Sequence, residues 1–376
     1  MQFRIERDSF EEAIKWIYRT VGERSSLPAL AGIKLTLSGD VLVLTSTDGN
    51  MSSEVTLQVQ GQRDGSALVQ GKLLRDVASR LPSDAVNVSV DSDRLEIVCA
   101  RAKYTLRMMQ IEDFPQIPTP TEQAGQVILN AKAFSDTVGQ VIKAVSSEDV
   151  RVALTGVRIE LADGVLTGAA TDSYRLSVRS IAVNSPDEMA ALVTKKAMDQ
   201  AKSAADALGG EVTMVLTPTH AVFQFSDRRL VTTLLEGKYP AYRQLIPTNA
   251  QRHLRIDRAA LANVVKRVSV IGEAERTMTP VIFDVQEDTV HVAADSSESG
   301  RANESLSAVL SGEPIRIAFN PRFLLEGLDV IHDDMVDFAF NDDLKPAVIR
   351  PAKLVDGEEE DKTVTESLYL LMPVRT

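Results

Sequence analysis

One block of sequence occurs three times. Residues 27–51 read LPALAGIKLTLSGDVLVLTSTDGNM, residues 150–176 read VRVALTGVRIELADGVLTGAATDSYRL, and residues 278–301 read MTPVIFDVQEDTVHVAADSSESGR. Each has an alternating strand, a turn with Gly or Asp, a second alternating strand and an Asp-centred turn. The aspartates of that last turn, Asp48, Asp172 and Asp295, stand 124 and 123 residues apart. A repeat of this length exceeds the roughly 20–50 residues of a stacked solenoid unit. The chain therefore reads as whole domains in tandem, each of an α+β type.

The periodicity extends on both sides of the block. Apolar residues at helical spacing precede each copy: Phe10, Ile14, Ile17 and Val21; Phe134, Val138, Val141 and Val145; Leu261, Val264, Val265 and Val268. Ser9 and Glu12 have the spacing of a capping box for the first. A second helix follows each copy. Leu73, Leu74, Val77 and Leu81 mark one before Pro82. Ala197, Met198, Ala201 and Ala205 mark another, stopped by Gly209 and Gly210. In the third, Asn320 is placed to cap and Pro321 to take the first position, ahead of Phe323, Leu324, Leu328 and Ile331. The spacing predicts helices over 10–21, 72–81, 131–145, 194–208, 258–271 and 320–331. Polar stretches near Pro118–Ala124 and Pro247–Arg252 divide the chain into units 1–122, 123–251 and 252–376.

At 376 residues and 44% apolar composition the chain can fill two or three cores. No apolar run reaches the roughly 18 residues a membrane span needs, and the opening MQFRIERDSFEEAIKW has no apolar core of a secretory signal. A single cysteine, Cys99, excludes an internal disulfide and a multi-cysteine zinc site and fits a reducing cytoplasm.

The net charge of −12 taken whole argues against a nucleic-acid binder. Its distribution argues otherwise. The six predicted helical windows carry +6 and the remainder −18, with the densest acidic run at Asp356–Asp361. Lys72, Arg75, Arg80, Lys195, Lys196, Lys202, Arg258, Lys266 and Arg267 all fall in or at the ends of helices. Any one of them alone reads as a solvated helix face; the sum points to a mildly positive surface of helices. Such a surface suits weak, sequence-independent DNA binding, with a dissociation constant of about 10⁻⁴ to 10⁻⁶ M. Base-reading Arg/Asn pairs and aromatics interleaved with the bases are both missing.

Signals for catalysis are weak. Gly65 to Leu73 has five residues between its glycines and no Ser or Thr after Lys72, unlike a phosphate-binding loop. His220, His253, His291 and His332 lack metal-ligand spacing. The three marker aspartates sit at one turn of three different units, where their side chains suit Asx turns better than a shared metal. No cofactor is expected and no enzyme activity.

The whole chain resembles the beta subunits of bacterial DNA polymerase III, the sliding clamps. The carriers are MQFRIERDSFEEAI, LPALAGIKL, ATDSYRLSV at Ala170–Val178, GKYPAYRQLIP at Gly237–Pro247 and YLLMPVRT at Tyr369–Thr376. The resemblance implies three tandem DNA-clamp domains, each of two helices plus antiparallel sheets. Two chains would close head to tail into a six-domain ring with twelve helices around the hole. It implies a non-enzymatic processivity subunit that encircles double-stranded DNA without sequence preference. Its partners would be the polymerase III catalytic subunit, an ATP-driven clamp loader and other proteins carrying a clamp-binding motif.

The same resemblance implies a pocket for short peptides, a Gln followed by apolar residues ending in Leu-Phe. Its lining here would be Leu154, Thr171, Tyr174, Arg175 and Leu176, then Pro240 and Leu245, Pro346, and Met372, Pro373, Val374 and Arg375. Apolar walls with an adaptable Met suit peptide capture, and Arg175 would hold the peptide's backbone or polar end. For DNA the family's positions fall on Arg24, Lys72, Arg151, Lys196 and Arg276, to which the helix charges add Lys266 and Arg267. The chain departs from the family at several places. Ser173 and Tyr174 stand where Gly and His are common, Gln244 where Arg is common, and Thr376 ends the chain in place of a large apolar residue. An acid, Glu148, occupies one DNA position. The competing reading is a peptide-binding scaffold of the same fold that never encircles DNA.

Overall fold

The structure, a computed structural model, describes residues 1–376 apart from 24, 120–124, 149, 274–277, 353–363 and 376 and the side chain of Glu273. Arg24, Arg276, Thr376 and the acidic run Asp356–Asp361 therefore lie outside the described residues. Among the described residues there are six α-helices: α1 (Arg7–Tyr18), α2 (Gly71–Ala78), α3 (Ala131–Val141), α4 (Lys195–Leu208), α5 (Arg258–Glu273) and α6 (Pro321–Asp329). Each follows a strand directly or after one residue, two such strand–helix pairs per repeat. No helix is long and apolar enough to cross a membrane.

Four antiparallel sheets carry the strands, and two compact units carry the sheets. The first unit comprises Met1–Phe134 and Lys196–Leu234. It holds a five-stranded sheet ending at Ala102–Arg107 and an eight-stranded sheet in which Arg228–Thr233 pairs with Met51–Gln58. The second comprises Ser135–Lys195 and Leu235–Thr376. It holds a nine-stranded sheet in which Arg175–Ala182 pairs with Val364–Leu371, and a four-stranded sheet ending at Gly300–Ser307. The middle repeat is thus shared between the units, because its strands complete sheets begun by the first and third repeats.

Alternation along the nine-stranded sheet sends successive side chains to opposite faces. Tyr369, Leu371, Ala347, Ile349, Phe338 and Phe340 join one core with Leu324 and Leu328 of α6 and Leu261 and Val265 of α5. Leu368, Leu370, Val348, Ala339, Leu176 and Val178 form a smaller cluster on the other face, closed over by Tyr239, Tyr242 and Ile246. The loop bearing those tyrosines is anchored by polar contacts. Tyr242 donates its hydroxyl to Glu160 at 3.0 Å, and Arg158 and Arg243 donate to the same carboxylate at 3.1 and 3.4 Å. Burial opposes the charge on Glu160, but these donors hold its carboxyl below the usual glutamate value.

Several local readings change. The Ser9–Glu12 capping box is not formed. Helix α1 begins three residues earlier, at Arg7, behind Glu6 in extended conformation, without a side-chain cap. Its entry is fixed by packing: Phe3 of the preceding strand meets Phe10 edge to face with ring centroids 6.5 Å apart. Asn320 caps α6 as expected, accepting from the N–H groups of Arg322 and Phe323 at 3.0 and 3.4 Å, with Pro321 first in the helix. Asp48 and Asp172 form the expected Asx turns, each accepting from the N–H groups two and three residues on. In the third copy the role passes from Asp295 to Ser296, whose hydroxyl accepts from Glu298 and Ser299. Ser296 lies 124 residues beyond Asp172, so the repeat keeps its register and only the marker residue changes.

The helical charge also shrinks. Within the observed bounds the six helices hold 12 basic and 10 acidic residues, a net +2 that leaves −14 for the rest. Arg19, Arg80 and Lys143 fall just beyond helix ends, while Arg7, Asp8 and Glu273 fall inside.

Two expectations test this packing. A Cβ on Gly327 of α6 would meet the ring of the fully buried Tyr369 at 2.5 Å. Gly327→Ala should therefore lower unfolding free energy by roughly 1–3 kcal/mol through overpacking, measured by denaturant unfolding; unchanged stability would contradict the close approach. Glu160 carries the pH signature of a depressed carboxylate. Its stabilising contribution is complete above the unfolded value of 4.5 and fades as pH falls through the lower folded value. The gap in melting temperature between wild type and Glu160→Gln should be largest near neutrality and shrink as pH falls below 4.5. A gap that widens on acidification would refute the assignment.

Candidate peptide site and DNA-facing residues

Of the predicted peptide-site residues, Thr171, Tyr174, Arg175, Leu176 and Met372 meet at one corner of the nine-stranded sheet, and the others lie in separate settings. Thr171, Tyr174, Arg175 and Leu176 surround the turn that joins Val165–Thr171 to Arg175–Ala182. The turn is closed twice. The Thr171 hydroxyl donates to the Arg175 carbonyl at 2.6 Å and accepts from the Ser173 N–H, while Asp172 takes the next two N–H groups. Ser173 adopts φ +81°, a left-handed conformation that glycine reaches without strain; Gly49 holds the matching place in the first repeat at φ +97°.

The chain's tail joins this corner. Met372 donates its N–H to the Tyr174 carbonyl at 2.9 Å and packs with Leu176 and Tyr242 in the smaller cluster. Two residues on, the Val374 N–H reaches the Ala318 carbonyl at 2.8 Å, tacking the tail to the outer edge of Ile315–Phe319. Val374 and Arg375 line a hollow of about 390 Å³ with Ile282, Arg316, Ala318 and Leu344. Pro373 is half-buried between these attachments. Pro240 lies in a separate groove of about 450 Å³ with Arg158, Glu160 and Tyr242. Leu245, at the end of the same loop, is 52% exposed. Pro346 is half-buried just ahead of strand Ala347–Ala352, and Leu154 is buried, with its carbonyl accepting from Ser146.

Arg175 and Tyr174 turn away from the smaller cluster. Arg175 is buried on the α6 side of the sheet. Its guanidinium donates to Asp172 at 3.0 Å, to Glu326 and to the Tyr369 hydroxyl at 3.3 Å, and lies over the Phe323 ring at 4.3 Å. Burial works against its charge, but Tyr369 and Glu326 together raise its pKa above the ordinary arginine value. The guanidinium of Arg175 thus has internal partners on three residues. Tyr174 stacks on the other side, 6.3 Å from Phe323 at an interplanar angle of 28°, and stays 59% exposed. Phe323, Glu326 and Tyr369 were not legible as site residues. Phe323 reads as helix core, and Glu326 is 151 positions from Arg175 with no local pattern linking them.

The DNA candidates occupy helices or helix-adjacent turns with different degrees of commitment. Lys72 on α2 and Lys266 on α5 are exposed, and among the described residues neither is in an ion pair. Lys196 on α4 bridges to Asp48 at 2.6 Å. Arg267 on α5 holds Glu304 through two hydrogen bonds of 2.8 and 2.6 Å. Arg151, beside the short turn Val152–Leu154, donates to the Ser173 hydroxyl at 2.8 Å. Glu148 is exposed. Among the described residues no group of three or more His, Cys, Asp or Glu side chains could hold a metal ion.

Comparison with known proteins accounts for the whole chain. Models of the N-terminal, central and C-terminal domains of the DNA polymerase III beta subunit match residues 1–118, 128–241 and 243–363. The beta sliding clamp of Streptomyces coelicolor is 35% identical, with 100% of this chain and 99% of the relative covered. The beta sliding clamp homolog GriR of Streptomyces muensis is 30% identical over 100% of this chain and 99% of its own. Among solved structures, the Pseudomonas aeruginosa sliding clamp bound to griselimycin superposes with a TM-score of 0.92 at 24% identity, covering 100% of both chains. The DNA polymerase beta subunit of Streptococcus pyogenes gives 0.91 at 25% identity, again covering 100% of both. The chain belongs to the family of DNA polymerase III beta subunits, the sliding clamps that serve as non-catalytic processivity subunits of that polymerase.

Proposed function

We propose that two copies of this clamp close head to tail by reusing a joint the chain already contains, and so encircle duplex DNA. The observation that carries the ring is strand pairing. Strand Met51–Gln58 of the first repeat pairs with Arg228–Thr233 of the second, and Arg175–Ala182 of the second pairs with Val364–Leu371 of the third. These are the same two strand types at both joints: Met51–Gln58 and Arg175–Ala182 start 124 residues apart, and Arg228–Thr233 and Val364–Leu371 start 136 apart. One strand of each type is left over: Gly300–Ser307 of the third repeat and Ala102–Arg107 of the first, each at the end of its sheet. Unpaired edges seek partners. A leftover third-repeat edge fits a leftover first-repeat edge on another copy, a heterologous contact that closes a ring if the rotation permits.

The repeats in this reading are 1–122, 123–251 and 252–376. Exposed Lys72 and Lys266 and the more committed Arg151, Lys196 and Arg267 give a weak, salt-sensitive attraction to phosphates. A closed ring needs no more, since it is held by topology. Partner peptides dock where Leu176, Met372 and the loop bearing Pro240 and Leu245 meet, with Thr171, Tyr174, Pro346 and the tail residues Pro373, Val374 and Arg375 as further walls. The occupants are the apolar ends of clamp-binding motifs in the polymerase III catalytic subunit, the clamp loader and other replication and repair proteins of the cytoplasm.

Two experiments test this reading. Protein assembled by a clamp loader on nicked circular DNA should co-elute with the circle and leave when the DNA is linearised; equal loss from both forms would reject encirclement. Deleting Met372–Thr376 should abolish binding of a clamp-binding peptide while the solution mass of the dimer stays unchanged. Undiminished binding by the truncated protein would place the peptide elsewhere.

A further inference from the structure

The turn Asp172–Arg175 sits between two environments. Through the Tyr174 carbonyl it holds Met372, and through the next strand residue it presents Leu176, both members of the apolar cluster assigned to peptide docking. On the opposite face Arg175 extends the turn into a chain of charges. Arg322, 77% exposed on α6, donates to Glu326 at 3.0 Å. Glu326 also takes Arg175, and Arg175 takes the Asp172 carboxylate whose other oxygen closes the turn. Tyr369 braces the same guanidinium and donates its own hydroxyl to the Phe323 carbonyl at 2.9 Å. Every link from helix to turn is a hydrogen bond, and the central cation has a side chain only 5% exposed.

We propose that Glu326 is a positioning residue for peptide capture: it acts through Arg175 to fix the Asp172–Arg175 turn, and with it the Leu176 and Met372 walls, without touching the peptide. The physical basis is the penalty for an uncompensated buried charge. With Glu326 neutral, Arg175 keeps only Asp172 as an anionic partner within reach, and a buried cation that loses one of two carboxylates draws on the other. Asp172 is then pulled between the guanidinium and the two N–H groups it caps. The turn loosens first, because Ser173 already holds a conformation that a non-glycine residue adopts at a cost. Arg322 is exposed and bonded to Glu326, and among the described residues no hydrogen bond or ion pair joins it to the turn, so its loss leaves the inner links in place.

This inference rests on the peptide-site reading, and the experiment separates the two. The probe is a fluorescent peptide ending in Leu-Phe with an upstream Gln, titrated against the full-length dimer. Glu326→Gln should weaken binding about tenfold with dimer mass unchanged, and Arg322→Gln should stay within twofold of wild type. The loss should be the same for a peptide whose Gln is replaced by Ala; a loss that disappears with that Gln would mean direct contact and overturn the positioning role. Wild-type affinity in folded Glu326→Gln would overturn it too. Should that variant fail to fold, Tyr369→Phe removes one brace of Arg175 and should weaken binding in the same direction, and unchanged affinity there rejects the proposal. If the Met372–Thr376 truncation still binds the peptide, the site assignment itself is at fault; if the truncation fails to bind while Glu326→Gln binds normally, only the positioning role falls.

Discussion

The pairing of strands between successive repeats is the constraint on which the rest of the structure depends. An edge strand in water carries a row of unpaired N–H and C=O groups. Here two edges of the middle repeat, Arg228–Thr233 and Arg175–Ala182, are taken up by its neighbours on either side, in the eight- and nine-stranded sheets. Each compact unit consequently contains part of the middle repeat, although the sequence repeats as thirds. The same constraint fixes what a single chain lacks. A row of three repeats joined twice by one kind of contact leaves one strand of each kind unmatched, at opposite ends of the row.

The two joints share a backbone and differ in chemistry. Position for position, Met51 at the first joint stands where Arg175 stands at the second, and Gln200, sixth in α4, where Glu326 is sixth in α6. Gln200 donates to the Trp16 carbonyl at 2.9 Å, a neutral contact in a region closed by Trp16 and the buried Arg228. Lys196 takes Asp48 directly, whereas its counterpart Arg322 takes Glu326. The second joint therefore differs in having a buried cation within the turn itself, Arg175, and an aromatic stack of Tyr174 on Phe323 that stays partly in solvent. A buried ionic contact seldom adds stability over apolar packing, and each joint has one, Arg228 with Glu12 at the first and Arg175 with Asp172 and Glu326 at the second; at the second the arginine also belongs to the Asp172–Arg175 turn, which ties that turn to α6.

The sequence made the repeats, all six helices and the strand-rich blocks legible because hydrophobic period and the 124-residue register are local signals that survive divergence. Asn320 and Pro321 were readable for the same reason. The Ser9–Glu12 pair was misleading because a strand leads straight into α1 and Phe3 against Phe10 fixes the entry more firmly than a cap. Asp295 was misleading because serine can close the same turn as aspartate. At the site, Leu176 and Met372 were legible as neighbours through their motifs. The partners of Arg175 and Arg267 were not, since Glu326 and Glu304 reach them from distant or different elements and charge alone does not name a partner.

The fate of Arg267 and Lys196 bears on how the clamp holds DNA. Each adds a positive charge to a helix, and each has an acidic partner at 2.6 Å. With the helices at a net +2 inside a chain of −12, the field toward a duplex is too weak for tight retention. A protein that has to stay on DNA while moving along it benefits from that weakness, because strong phosphate contacts at fixed positions would oppose sliding. Retention must then come from a closed path around the duplex, and among the described residues the unmatched strands of the two joint types, Gly300–Ser307 and Ala102–Arg107, are those that could close it. Weak helices and unpaired edges are thus two consequences of a single design, in which topology replaces affinity.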